Sequence, residues 1–142
     1  MIKACSKKYE IPFAHRAPWH DGHCRFVHGH NWQIEFHFLA EETDKCGFVV
    51  DFGKLKPLKK LLDEWDHALV LAPDDPFLDI FKGLQMNELC KLIVCPNGTS
   101  SEGIAEYWHQ VGNEVVDAIT EGRATVNKVV VIEDWKNKAK YE

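Results

Sequence analysis

Residues 28–39, HGHNWQIEFHFL, alternate without a break. His28, His30, Trp32, Ile34, Phe36 and Phe38 recur at period two, and Gly29, Asn31, Gln33, Glu35 and His37 fall between them. This is a strand with one apolar face, and two histidines stand at one end of that face. Any fold for the chain has to bury the aromatic row and still leave the imidazoles something to do.

The remaining elements are read against this strand. Residues 9–15, YEIPFAH, alternate as a second strand. Pro12 cannot donate to a ladder, which predicts an edge position or a bulge. Residues 16–27 are loop, broken by Pro18 and Asp21-Gly22. A turn at 43–47 leads to a predicted strand at 48–51. Leu55, Leu58, Leu62 and Trp65 predict a helix over about 53–65, with Pro57 in its first turn. A shorter helix is expected at 76–89 and a short strand at 92–95. Ile104, Trp108, Val111, Val115 and Ile119 line a long helix at 100–121, opened by Thr99 and Glu102 as a capping box. A strand at 128–133 and a charged tail close the chain. The order predicts α+β, with an antiparallel four-stranded sheet and two main helices on one face. Nothing splits the 142 residues into two units, so one domain spanning 1–142 is expected. The exposed edges of so small a sheet favour strand addition between subunits.

Composition excludes more than it assigns. The net charge of -5 is spread along the chain, which argues against a general nucleic-acid or membrane-surface binder. No apolar run has membrane-spanning length, and the first ten residues lack the apolar core of a signal peptide, so a cytoplasmic protein is expected. Five cysteines, Cys5, Cys24, Cys46, Cys90 and Cys95, form no disulfide framework.

Histidine is the anomaly: five of the eight lie between His15 and His30. On a strand, His28 and His30 point the same way, and Gly29 between them leaves room for close backbone approach. His15 ends the first strand on the face of Ile11 and Phe13, and is the natural third ligand. Three neutral imidazoles suit zinc and leave one position open. His20, His23 and His37 are rivals, although His37 faces the other way. H-x-H also arises by chance in a histidine-rich strand.

Cys24, four residues before His28, has three readings: a base activated by a nearby metal, a fourth ligand closing a structural site, or a small loop residue. Asp66-His67 is either a carboxylate orienting a proton-transfer imidazole or a histidine complementing a helix end. Glu133 closes an apolar strand, where a carboxylate can accept the paired N–H donors of a guanidine-like ring edge or simply face water.

Taken together and in order, these pieces resemble the 6-pyruvoyl-tetrahydropterin synthase and 6-carboxytetrahydropterin synthase family. The resemblance covers nearly the whole chain. It comprises F-x-H at 13–15, C-x-x-x-H-G-H-N at 24–31, G-F-V-V-D-F at 47–52, W-D-H at 65–67, T-S-S-E-G-I-A at 99–105 and V-V-V-I-E at 129–133. It implies the T-fold, in which subunits assemble into barrels, commonly as a hexamer of two trimers with active sites between subunits. By the same resemblance His15, His28 and His30 hold zinc, Cys24 is the catalytic base, and Asp66 with His67 is the second proton-transfer group. Glu133 anchors the pterin, and Thr99 and Ser100 lie in the segment that contacts it. The implied substrate is 7,8-dihydroneopterin triphosphate. The short spacing from Cys24 to His28 is that of the carboxy branch, which serves queuosine precursor synthesis. That branch makes 6-carboxy-5,6,7,8-tetrahydropterin and releases triphosphate and acetaldehyde. The alternatives are a pyruvoyl-type synthase, which stops at triphosphate loss, and a binding protein with a closed Cys-His₃ zinc site. Two departures from the family pattern stand near each other: Gly103 where a larger residue is usual, and a proline-threonine pair spread into Pro96-Asn97-Gly98-Thr99.

Overall fold

The computed structural model describes residues 1–142. Its frame is an antiparallel ribbon of β1 (Lys3–His15) and β2 (His28–Ala40), paired from Lys3 opposite Ala40 to His15 opposite His28. Matching alternation sets this register: Ile11 and Phe13 of β1 bury the same face as Trp32, Ile34, Phe36 and Phe38 of β2.

Around the ribbon lie four shorter strands. β3 (Ala68–Leu71) runs parallel to β1 but pairs only with Ala14 and His15, and β4 (Lys91–Val94) runs parallel to β3. β5 (Ala124–Ile132) is antiparallel to β2, and β6 (Lys138–Tyr141) to β5. The sheet order is β4-β3-β1-β2-β5-β6. Three helices follow: α1 (Lys56–Asp63), entered through a 3-10 turn at Phe52–Leu55, α2 (Leu78–Met86) and α3 (Ser101–Thr120). Leu58 and Leu62 of α1 and Ile104 and Trp108 of α3 close over Trp32, Ile34 and Phe36 in one core. Each such side chain contributes roughly 1.5–3 kcal/mol by leaving water. No helix is long and apolar enough to cross a membrane.

The class is α+β as expected, with six strands instead of four and a sheet that is mixed instead of antiparallel. β4 matches the short strand expected at 92–95, whereas β3 and β6 were not foreseen: all four residues of β3 are buried, which leaves no alternation, and β6 lies in the charged tail. The strand expected at 48–51 is absent. Val49 and Val50 are both buried, which breaks alternation, and Arg123 takes the backbone acceptors a ladder would use. Its Nη1 donates to the carbonyls of Glu42 at 2.9 Å and Phe48 at 3.3 Å, and its Nη2 to that of Val49 at 2.8 Å. Pro12 marks neither an outer strand nor a bulge. β1 is internal to the sheet, but its side away from β2 is unpaired before Ala14, so the missing N–H costs nothing there.

The capping box also shifts by one residue. Ser100, not Thr99, is the N-cap of α3, accepting from the Gly103 N–H at 3.1 Å. The two departures from the family pattern explain each other here. A Cβ at residue 103 would stand 2.2 Å from the Asn97 carbonyl oxygen, so the enlarged 96–99 loop fills the space a side chain would need.

Gly103→Ala should therefore lower stability by about 1–3 kcal/mol through overpacking, read as a lower urea midpoint. Gly83→Ala, with nothing within 4 Å of the new carbon, serves as the control and should not be destabilised.

Candidate metal centre

At the end of the ribbon the register places His15 directly opposite His28, with His30 one pleat further along β2. The three rings converge, with centroids 4.6 Å apart for His15 and His28, 5.3 Å for His15 and His30, and 5.1 Å for His28 and His30. The buried Trp32 indole forms the floor, 4.8 Å from the His15 ring and 5.2 Å from that of His30. Phe13 stacks on that indole at 4.6 Å and accepts its N–H through the backbone carbonyl at 3.1 Å.

Backbone carbonyls fix two of the rings. Nδ1 of His15 donates to the Thr99 carbonyl at 2.8 Å, and Nδ1 of His28 to that of Phe26 at 2.7 Å. A carbonyl can only accept, so both Nδ1 atoms carry the proton and both Nε2 lone pairs are left for a ligand. Nε2 of His15 and of His30 is buried and faces the Glu133 carboxylate without a well-aligned hydrogen bond. Burial also pushes the His15 pKa down, against the smaller opposing effect of the Thr99 carbonyl, which favours the neutral imidazole a metal requires.

A fourth donor joins them. Glu133, one residue past β5, sets Oε1 3.0 Å from His30 Nε2 and 3.5 Å from His15 Nε2. Its Oε2 accepts from the Ser101 hydroxyl at 3.2 Å. One donor atom from each of His15, His28, His30 and Glu133 lies within 4.8 Å of every other. Three neutral imidazoles beside a carboxylate are a donor chemistry that suits zinc.

The other predicted site residues separate into two groups. Cys24, exposed on a 3-10 turn at His23–Arg25, shares an open hollow of about 570 Å³ with His28, His30 and Glu133. Asp66 and His67 form a hydrogen-bonded pair, but the structure does not bring them to the cluster. The His67 side chain is 85% exposed, and the residue borders a second, shallow hollow with Pro12, Ala14, Gly29, His30 and Asn31, apart from the one that holds Cys24. A left-handed backbone at His67, φ 61°, and its N–H bond to the Pro12 carbonyl hold the pair there. Thr99 and Ser100 sit beside the cluster with their side chains already engaged, Thr99 donating to the Arg16 carbonyl at 2.7 Å and Ser100 capping α3. Among the rival histidines, His37 pairs with Glu35 at 2.6 Å, and His20 accepts the Gly22 N–H. Cys95 is fully buried, with its thiol pushed up to about 11.

Sequence reasoning assigned Glu133 to a pterin and did not foresee it beside the imidazoles. Its strand-end position carried no sign of that, because β5 reaches β2 from nearly a hundred residues away. Ser101 was overlooked for the same reason.

Comparison with known proteins identifies relatives of this chain. The family model described as 6-pyruvoyl tetrahydropterin synthase matches residues 4–142. A 6-carboxy-5,6,7,8-tetrahydropterin synthase of Rickettsia conorii is 38% identical over 112 residues, covering 75% of this chain and 77% of the relative. One from Rickettsia felis is 35% identical over 128 residues, covering 87% and 86%. Among solved structures, an uncharacterized protein of Wolinella succinogenes superposes with TM-score 0.85 at 20% identity over 99% of this chain and 98% of its own. The Plasmodium vivax 6-pyruvoyltetrahydropterin synthase does so with TM-score 0.70 at 19% identity, covering 99% and 97%. At these identities the two structures establish a shared fold.

The lowered His15 pKa means that the unfolded chain binds this proton more readily than the folded one. The associated stability is present above the ordinary histidine value of 6.5 and is lost as pH falls below it. Urea midpoints of metal-free protein should drop between about pH 7 and about pH 5, and His15→Gln should flatten that slope.

Proposed function

We propose that this chain, which belongs to the 6-pyruvoyl tetrahydropterin synthase family, is a lyase converting 7,8-dihydroneopterin triphosphate to 6-carboxy-5,6,7,8-tetrahydropterin, with release of triphosphate and acetaldehyde. The observation that carries the reading is the convergence of three imidazoles, two of which, His28 and His30, line the hollow that holds Cys24. The curated relatives bearing the carboxy name support that product over the pyruvoyl one.

Zinc held by His15, His28 and His30 supplies Lewis acidity, which makes substrate hydroxyls and the adjacent C–H bonds more acidic. The protein groups take the roles that the family resemblance implies. Cys24, on the rim, removes a side-chain proton as thiolate. His67, with its tautomer held by Asp66, exchanges a proton on the other side of the substrate. Glu133, between cluster and solvent, anchors the ring edge of the pterin. The side chains of Thr99 and Ser100 are committed elsewhere, so this segment offers the pterin its backbone groups. Because Cys24 and His67 border two separate hollows of one chain, the working site combines Cys24 of one subunit with Asp66 and His67 of another. The unpaired stretch of β1 and the outer edges of β4 and β6 supply the strand edges for a barrel, which we read as a hexamer of two trimers in the cytoplasm. A closed Cys-His₃ binding site is disfavoured, because the fourth donor grouped with the imidazoles is Glu133 and not Cys24.

Mass spectrometry of products from zinc-loaded protein and 7,8-dihydroneopterin triphosphate tests the reaction. A carboxytetrahydropterin with acetaldehyde supports it and places the enzyme in queuosine precursor synthesis. A pyruvoyl product replaces it with the shorter reaction, and unchanged substrate removes it. Cys24→Ala should keep zinc but lose about 10²–10⁴-fold in turnover. Subunits carrying Cys24→Ala and His67→Ala, each inactive alone, should recover about a quarter of wild-type activity when unfolded and reassembled in equal amounts, since sites are shared across a symmetric interface. No recovery would place the whole site within one chain.

A further inference from the structure

We infer that Arg16 and Asp75 form a positioning pair that sets two of the three ligand imidazoles and the Cys24 loop. The inference rests on the metal reading above, although not on the pterin reaction.

Arg16 follows His15 at the end of β1 and turns its guanidinium inward. Nε donates to Asp75 Oδ2 at 2.7 Å, Nη2 to Oδ1 at 3.4 Å, and Nη1 to the Arg25 carbonyl at 2.9 Å. The Asp75 side chain is entirely shielded from water, and Oδ1 also accepts the Phe77 N–H at 2.9 Å. The rings of Phe77 and Phe81 lie 5.5 and 5.9 Å from the guanidinium carbon. Removing either charge would leave the other buried and unpaired, which is strongly unfavourable. Arg16 is therefore held in place and is not a free cation for the substrate's phosphates.

Three connections run from this anchored residue to the metal centre. The Arg16 carbonyl accepts the Thr99 hydroxyl at 2.7 Å, and the Thr99 carbonyl accepts His15 Nδ1 at 2.8 Å. Nη1 of Arg16 holds the Arg25 carbonyl, and the next carbonyl, that of Phe26, accepts His28 Nδ1 at 2.7 Å. The N–H of Ala17 donates to the Cys24 carbonyl at 2.7 Å. The Nδ1 acceptors of two ligands thus depend on Arg16, and the Cys24 backbone on the residue after it, with Arg16 itself fixed by a carboxylate 59 positions away. Ligand orientation by such outer groups tunes metal affinity. The arrangement needs the planar fork of arginine: lysine can neutralise Asp75 but cannot also hold the Arg25 carbonyl.

The test is titration of metal-free wild type, Arg16→Lys, Thr99→Val and Thr99→Ser with Co(II), following the ligand-field absorption in competition with a chelator. No pterin is present, so the outcome is independent of the reaction. Arg16→Lys should fold, with an unchanged far-ultraviolet circular dichroism spectrum, bind cobalt about tenfold more weakly and show displaced bands. Thr99→Val should shift in the same direction by less, and Thr99→Ser, which keeps the hydroxyl, should restore wild-type affinity. Arg16→Lys protein that binds within about twofold of wild type with identical bands overturns the inference. If Arg16→Lys does not fold, the Thr99 pair decides, and wild-type affinity in Thr99→Val is the overturning result. Wild-type protein that takes up no cobalt overturns the metal reading and this inference with it.

Discussion

The antiparallel register of β1 on β2 is the constraint on which the rest depends. It sets His15 opposite His28 and Phe13 opposite His30, so one pairing decides both the start of the core and the convergence of three imidazoles. A slip of one residue would turn every side chain of a strand to the other face. The aromatic row makes that slip prohibitive, because Trp32, Ile34, Phe36 and Phe38 are fully buried and would all be moved toward the polar side. The energy that folds the sheet is thus also the energy that aims the ligands.

From that end of the ribbon the centre is assembled in layers. Trp32 and Phe13 give a rigid apolar floor, and backbone carbonyls from two separate loops dictate which ring nitrogens face inward. Ser101, at the start of α3, and Glu133, at the end of the neighbouring strand β5, bring a carboxylate against the imidazoles. Burial without compensation is unfavourable for a polar atom, and the buried Nε2 atoms of His15 and His30, which face the Glu133 carboxylate without a well-aligned hydrogen bond, would be satisfied by an ion held between them. The solvent side is left open to Cys24, so a rigid apolar interior meets an accessible chemical rim.

Where the sequence was silent, the reasons are physical. β3 carries no alternation because both its faces are covered, and the 48–51 segment looks extended but is clasped by Arg123 from the far side of the chain. The helix start moved from Thr99 to Ser100 because the Thr99 hydroxyl had a better partner in the Arg16 carbonyl, 83 residues away. Gly103 reads as a departure in one dimension and as a necessity in three, once the Asn97 carbonyl is seen filling the place of its side chain.

Local pattern determined a good deal unaided. Period-two alternation fixed the β2 face, period-3.6 spacing fixed the buried sides of α1 and α3, and the H-x-H pair on one face with His15 named the three imidazoles that the fold brings together. These are properties of neighbouring residues, and backbone geometry alone translates them into direction. Tertiary structure decided what depends on distant segments meeting: the parallel pairing of β3 and β4, the arrival of Glu133 and Ser101 at the imidazoles, the Arg16–Asp75 pair, and the separation of His67 from Cys24 into different hollows. None of these has a local period, because each is settled by which pieces of chain can share the same space once the aromatic row is buried.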